Sequence, residues 1–343
     1  MGYEHRLYPP AELNFSLITH LVVGRVLPTA SGTLIQRFEF GAPDDLAVAR
    51  AIGVRAHAAQ RKVLLMVGGA GTHPEFRAAI APDARAEFAD SLLALVDRLG
   101  YDGVDIDFEP IEDGDKEPLL AFLSLLRARR PAMLITMPVG WVNTNAASTP
   151  DPWYAQAAAV VDQMNTMTYD MAGLYPGWEV WHHGPLYGDA VSRPSSIAST
   201  IQFYRSAGVP AERLGVGLGT YGSCWRGVFA PRESPGAGVT LGDNDRRMTY
   251  DTIMTRYDQA GSRRWDDSAQ VPYLTFRAPR GPQGCNFISY EDPRSAAAKA
   301  EYVRAQGLGG IMIWTAGQGH SAHLPRRRRD PLLRAVFRVL SRS

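Results

Sequence analysis

The chain has 343 residues, 45% apolar and 21% charged. This is the balance of a globular protein that can bury a large core, and it excludes a structureless interaction segment. Basic and acidic residues number 36 and 35, a net charge of +1, so composition supplies no general attraction to nucleic acid or to an anionic membrane. Two cysteines, Cys224 and Cys285, are too few for a disulfide framework or a four-cysteine zinc site. Whether they pair with each other is left open. At roughly 150 residues per domain the length allows two domains, or one α/β barrel of about 250 residues carrying an insertion.

The N-terminal stretch MGYEHRLYPPAELNF has prolines and charges where a signal peptide needs an apolar core. No apolar run approaches the roughly 18 residues of a membrane-spanning helix. Strand-like segments follow at Ile18–Val26, Val63–Val67, Gly103–Glu109, Met133–Pro138, Met164–Tyr169, Leu214–Thr220 and Gly310–Thr315. Between them lie helical patterns at Asp44–Gln60, Arg85–Leu99, Glu117–Arg129, Ser195–Ala207 and Pro293–Gln306, with a last helix at Pro331–Leu340. One helix after each strand favours a (β/α)8 TIM barrel. The rhythm breaks from Gly222 to Tyr290, which is too long for a plain loop. These residues are expected to form an inserted α+β subdomain (222–290) that walls one side of a groove, with the barrel built from residues 1–221 and 291–343.

The segment YDGVDIDFEP, residues 101–110, carries the chemistry. On a strand Asp105, Asp107 and Glu109 share one face, and Val104, Ile106 and Phe108 share the other. Apolar residues under helices place the three carboxyls toward the barrel interior. There their mutual repulsion raises pKa values and keeps a proton available near neutral pH. An acidic edge strand and a carboxylate metal cluster are the alternatives. The Val-Ile-Phe alternation within a βα series suits a central strand, and no further ligand cluster of matching spacing accompanies it.

The run Asp102-Gly103-Val104-Asp105-Ile106-Asp107-Phe108-Glu109 resembles the DGxDxDxE signature of the family 18 glycoside hydrolases, the chitinase family. VLLMVGG (63–69), MNTMTYD (164–170), WHHGPLYGD (181–189), PYLTF (272–276) and the stretch from ISYEDP (288–293) to GGIMIWT (309–315) are similar to further segments of that family in the same order. The stretch before ISYEDP resembles its chitinase insertion domain. The resemblance implies cleavage of β-1,4-linked N-acetylglucosamine in chitin or its oligosaccharides. It also implies retention of configuration, with the substrate's own 2-acetamido oxygen as nucleophile, an exception among retaining glycosidases. It makes Glu109 the general acid and base, has Asp107 orient the acetamido group and lets Asp105 share a proton with Asp107. Tyr169 would hydrogen-bond the acetamido oxygen, Asp170 would hold the same group or the sugar, and Met167 would line the pocket. Trp314 would form its floor and Tyr221 its wall. No cofactor and no metal are implied; a monomer without nucleic-acid or membrane partners is expected.

Three positions depart from the family pattern. Met66 replaces the serine that would hydrogen-bond the aspartate pair, so Asp105 is expected to lose a hydroxyl donor. Arg25 stands where an aromatic residue is usual, and Ser223 stands in place of an arginine. A first barrel strand ahead of Ile18 has only Gly2-Tyr3 to represent it. The expectation is a start downstream of the natural one, which would also account for the lack of a secretion signal. A binding protein that grips such sugars without cleaving them, and a hydrolase of peptidoglycan or N-glycan cores, are the alternative functions.

Other motifs carry less. Gly217–Gly222 spells GxGxxG but is followed by Ser-Cys-Trp-Arg-Gly where a dinucleotide site needs a helix. His182-His183 and His320/His323 have no carboxylate or cysteine at metal-ligand spacing. The run Arg326–Arg329 reads as a solvated loop.

Overall fold

The computed structural model describes residues 8–342 except 37, 39, 41–43, 147–148 and 243–245. Gly2-Tyr3, the candidate first strand, lies outside the described residues. The chain divides into two compact units. The first holds residues 1–140, 151–165 and 207–213, and the second residues 141–150, 166–206 and 214–343.

In the first unit β1 (His20–Pro28), β2 (Leu34–Ile35), β3 (Lys62–Gly68), β4 (Gly103–Asp107) and β5 (Leu134–Gly140) form a sheet in the order β2-β1-β3-β4-β5. β1, β3, β4 and β5 are parallel neighbours, and β2 joins β1 antiparallel. Every residue of β3 after Lys62 is buried, as are all five of β4, as expected of central parallel strands covered on both faces. Helices α1 (Asp45–Ala58), α2 (His73–Ala79), α3 (Arg85–Leu99), α4 (Lys116–Arg129) and α5 (Trp153–Val160) connect them. α3 buries Phe88, Leu92, Leu95, Val96 and Leu99 at helical spacing and stops at Gly100, which takes the left-handed conformation. Phe76 of α2 packs edge-on against Phe108, with ring centroids 5.0 Å apart, and also against Phe88 of α3 and Phe122 of α4, which stack on each other at 4.9 Å. This aromatic cluster holds Phe108 on the helical side of the sheet. Two helices of this unit that the sequence patterns do not predict, α2 and α5, are seven and eight residues long, too short for a clear periodic signal.

β6 (Gln163–Met167) begins in the first unit and ends in the second. In the second unit it is followed by α6 (Ile197–Ser206) and β7 (Leu214–Gly219). Then come β8 (Ser223–Arg226), β9 (Thr240–Leu241), β10 (Arg263–Asp266), β11 (Val271–Arg280) and β12 (Cys285–Ser289). These last five form an antiparallel sheet of their own in the order β10-β11-β12-β8-β9. Cys224 and Cys285 are disulfide-bonded within it, with Cα atoms 5.3 Å apart. α7 (Pro293–Ala305) starts on Asp292, whose carboxylate accepts from the Arg294 and Ser295 amides, with Pro293 in the first turn. It leads to β13 (Gly310–Trp314), which pairs parallel with β7, and to α8 (Pro331–Leu340). Leu332, Ala335 and Val336 of α8 share an apolar core with Leu274, Phe276 and Ile288 of the antiparallel sheet.

All seven expected strands are present, but two of them stop two residues short at site residues: β6 ends at Met167, ahead of Tyr169, and β4 does the same. β4 ends at Asp107, so Glu109 is not on the strand but two residues beyond it. Pro110 follows, and proline has no N–H with which to extend a ladder.

Candidate active site

In the first unit, β4 lies between β3 and β5, which rules out the edge-strand reading. The parallel register places Met66 and Thr136 on either side of Asp105, and Gly68 beside Asp107. Asp105 and Asp107 are 4% and 5% exposed; Glu109 is half-buried. Burial pushes the Asp105 carboxyl up to about 6, against a hydrogen bond that pulls it down. That bond is the Thr136 hydroxyl donating to Asp105 Oδ1. Asp105 therefore has a hydroxyl donor despite Met66, supplied by the neighbouring strand and not by β3. Burial, then the charges of Glu109 and Asp105, raise the Asp107 carboxyl far above its usual range, while Arg25 opposes the rise. Glu109 is also raised by burial, opposed by the Ala70 backbone and by Arg25. Oδ1 of Asp107 is buried without a hydrogen-bond partner, an acceptor open to a ligand's N–H.

In the second unit, Met167 is the last residue of β6, Tyr169 and Asp170 follow it, Tyr221 follows β7, and Trp314 ends β13. The structure brings four of these together. The Tyr169 and Trp314 rings are stacked, with centroids 6.5 Å apart and planes 16° apart. Tyr169 meets Tyr221 at 6.3 Å, and the Tyr221 hydroxyl donates to Asp170 Oδ2 at 2.6 Å. Met167, Tyr169 and Trp314 are half-buried, as suits groups that line a site.

The sequence pattern marks His183 only as a candidate metal ligand. Its Nδ1 lies 3.4 Å from Asp170 Oδ1 and accepts from the Asp170 amide at 3.3 Å. Its ring meets Tyr221 edge-on at 4.5 Å. His183 thus buttresses Asp170 and Tyr221 together. His182 instead contacts Asp266 Oδ2 at 2.9 Å and the Ser289 hydroxyl at 3.1 Å, and His320 contacts Asp330 at 2.7 Å. Each histidine meets a single carboxylate far from any ligand spacing in sequence, and Asp266 is shared with Arg232. Among the described residues, His73, Glu112 and Asp115 do converge, but Arg77 occupies both carboxylates, 2.5 Å from Asp115 and 2.7 Å from Glu112. The GxGxxG run ends β7, and a Cβ on Gly219 would lie 2.6 Å from the His183 Nε2. That glycine serves close packing, and no helix follows it.

The chain matches the family model for glycosyl hydrolases family 18 over residues 4–319. It is 31% identical over 287 residues to chitinase A1 of Niallia circulans, covering 74% of this chain and 40% of that protein. It is 27% identical over 340 residues to Nod factor hydrolase protein 1 of Medicago truncatula, covering 92% and 84%. The structure of the Ostrinia furnacalis Group IV chitinase in complex with allosamidin superposes with a TM-score of 0.82 at 25% identity, over 99% of this chain and 96% of that one. The fold class is α/β of the (β/α)8 barrel type, with an additional antiparallel sheet. This chain belongs to the glycosyl hydrolases family 18.

Proposed function

We propose that the protein hydrolyses β-1,4-linked N-acetylglucosamine chains, chitin or chitooligosaccharides, with retention and by substrate assistance. The observation that carries this reading is the carboxylate series at the end of β4: two buried aspartates on the strand and a half-buried glutamate two residues beyond it, where burial raises all three carboxyls. Glu109, held as an acid by burial, protonates the glycosidic oxygen as the bond to the anomeric carbon breaks. The substrate's acetamido oxygen attacks that carbon to give an oxazolinium. Asp107, with its unpartnered Oδ1, accepts the acetamido N–H and stabilises the positive charge that develops; Asp105 shares its proton. The ionised Glu109 then takes a proton from the water that opens the ring. Tyr169 donates to the acetamido oxygen, Asp170 holds the sugar, and Met167, Tyr221 and Trp314 shape its apolar surroundings. Residues 222–290 constitute the inserted α+β subdomain. No metal or organic cofactor enters this scheme, and a monomer suffices for it. Among the described residues no helix is long and apolar enough to cross a membrane.

Incubating the protein and Glu109→Gln with a fluorogenic chitobioside tests the reading. A loss of at least about 100-fold in kcat for Glu109→Gln is expected. Equal rates for the two would remove Glu109 from catalysis, and binding without turnover by the parent protein would select a sugar-binding role.

A further inference from the structure

Arg25 belongs to β1, where the sequence departs from its family. Its Nη1 donates to the Gly68 and Ala70 carbonyls, both at 3.1 Å. Both hydrogens of that nitrogen are therefore committed to the turn after β3, so the guanidinium is held in place and not free to swing toward a ligand. A Cβ on Gly69 would lie 2.9 Å from Arg25 Nη1 and 3.3 Å from Asp107 Oδ2. The cation and the carboxylate therefore both border the space that a side chain on this glycine would fill. Arg25 Nε and Asp107 Oδ1 are both buried without hydrogen-bond partners, so the two groups are electrostatic neighbours and do not form a hydrogen-bonded pair.

The surroundings of Asp107 show what this cation does. On its own segment stand Asp105 and Glu109, both negative when ionised. From β3 its register partner is Gly68, which has no side chain, while the apolar Met66 and the neutral Thr136 flank Asp105. Lys62, at the start of β3, is engaged 2.7 Å from Asp102. Arg25 is the cation that acts on both Asp107 and Glu109.

We infer that Arg25 is a positioning residue of this site: a fixed counter-charge, built in from β1, that keeps Asp107 and Glu109 ionised at lower pH than the carboxylate cluster alone would allow. Its consequence for turnover rests on the function proposed above; its electrostatic effect does not. An opposite charge about 4–6 Å away lowers a carboxyl pKa by about 1–3 units. A half-buried guanidinium shared with two carbonyls belongs at the lower end of that range, about one unit.

The test is a carboxyl-carbon NMR titration of the ¹³C-labelled protein, compared with Arg25→Gln and Arg25→Lys, each checked for folding by its thermal unfolding midpoint. In Arg25→Gln the Asp107 and Glu109 titrations should move up by about one pH unit; Arg25→Lys should restore most of the shift, because it keeps the charge. Should Arg25→Gln not fold, Arg25→Met, which keeps the apolar stem beside Met66, gives the same comparison. Unchanged titrations in the neutral variant would overturn the inference. In parallel, both limbs of the kcat/KM profile on a fluorogenic chitobioside should move up by about one unit in Arg25→Gln. If the parent protein turns over no substrate, the proposed function fails while the titration still decides the role of Arg25. If the parent is active and the titrations do not move, the function stands and this inference falls.

Discussion

Gly69 has φ +95, and any side chain there would press on Arg25 and on the Asp107 carboxylate at once. Gly69→Ala should therefore cost roughly 1–3 kcal/mol of stability and at least about tenfold in kcat, because small displacements of reacting groups are expensive; unfolding midpoints and chitobioside rates check both. Asp105 shows the opposite trade. Its folded pKa of about 6 exceeds the ordinary 3.8, so between those values the folded state binds more protons than the unfolded one. Stability consequently falls as pH rises through that window. Asp105→Asn removes the charge, so it should stabilise by roughly 1–3 kcal/mol at pH 8 and by nearly nothing at pH 4, while slowing turnover. Urea unfolding at the two pH values measures the difference. A gain that is equal at both would show that Asp105 does not titrate in this way.

At the level of elements, the antiparallel sheet of β8–β12 is fastened by two devices. Cys224–Cys285 closes a loop of 61 residues, which by chain entropy is worth roughly 4 kcal/mol. Cys224→Ser/Cys285→Ser should lower the unfolding midpoint by several degrees, and a reductant should no longer affect it. The second is Asp266 at the end of β10, which takes His182 Nε2 at 2.9 Å and both terminal nitrogens of Arg232 at 2.6 and 3.1 Å. His182 is fully buried and its pKa is lowered, first by burial, so Asp266→Ala would strand its ring nitrogen without a partner. A cost of roughly 2–4 kcal/mol is expected, against less than about 1 kcal/mol for an exposed pair such as Arg130–Asp97. Chemical denaturation of the two variants would separate them.

For the molecule as an enzyme, the pH range follows from the carboxyl series. Glu109 is raised above the ordinary 4.5, mainly by burial. Its acid form should therefore persist above that pH, and the alkaline limb of kcat/KM should lie clearly above 4.5. A limb at or below 4.5 would mean that Glu109 is not the acid.

The sequence by itself determined the class of the fold and the place of its chemistry, because both are written in local periodicity. Short apolar runs alternating with 3.6-residue patterns specify strands and helices from neighbouring residues alone, and the alternation in DGVDIDFE gathers three carboxyls in one segment, two of them on one side of one strand. Glu109 nevertheless lies two residues past the end of its strand, ahead of Pro110, and α2 and α5 are too short to show a period. What surrounds the carboxyls comes from segments far apart in the chain. The hydroxyl that meets Asp105 comes from Thr136 on β5 and not from β3, because the parallel register of β4 on β5 puts it there. Arg25 reaches Asp107 from a strand some eighty positions away, and His183 supports Asp170 from a loop that reads in sequence as a histidine pair. Register between distant strands is set by how their buried faces pack. No pattern within a single segment contains that information.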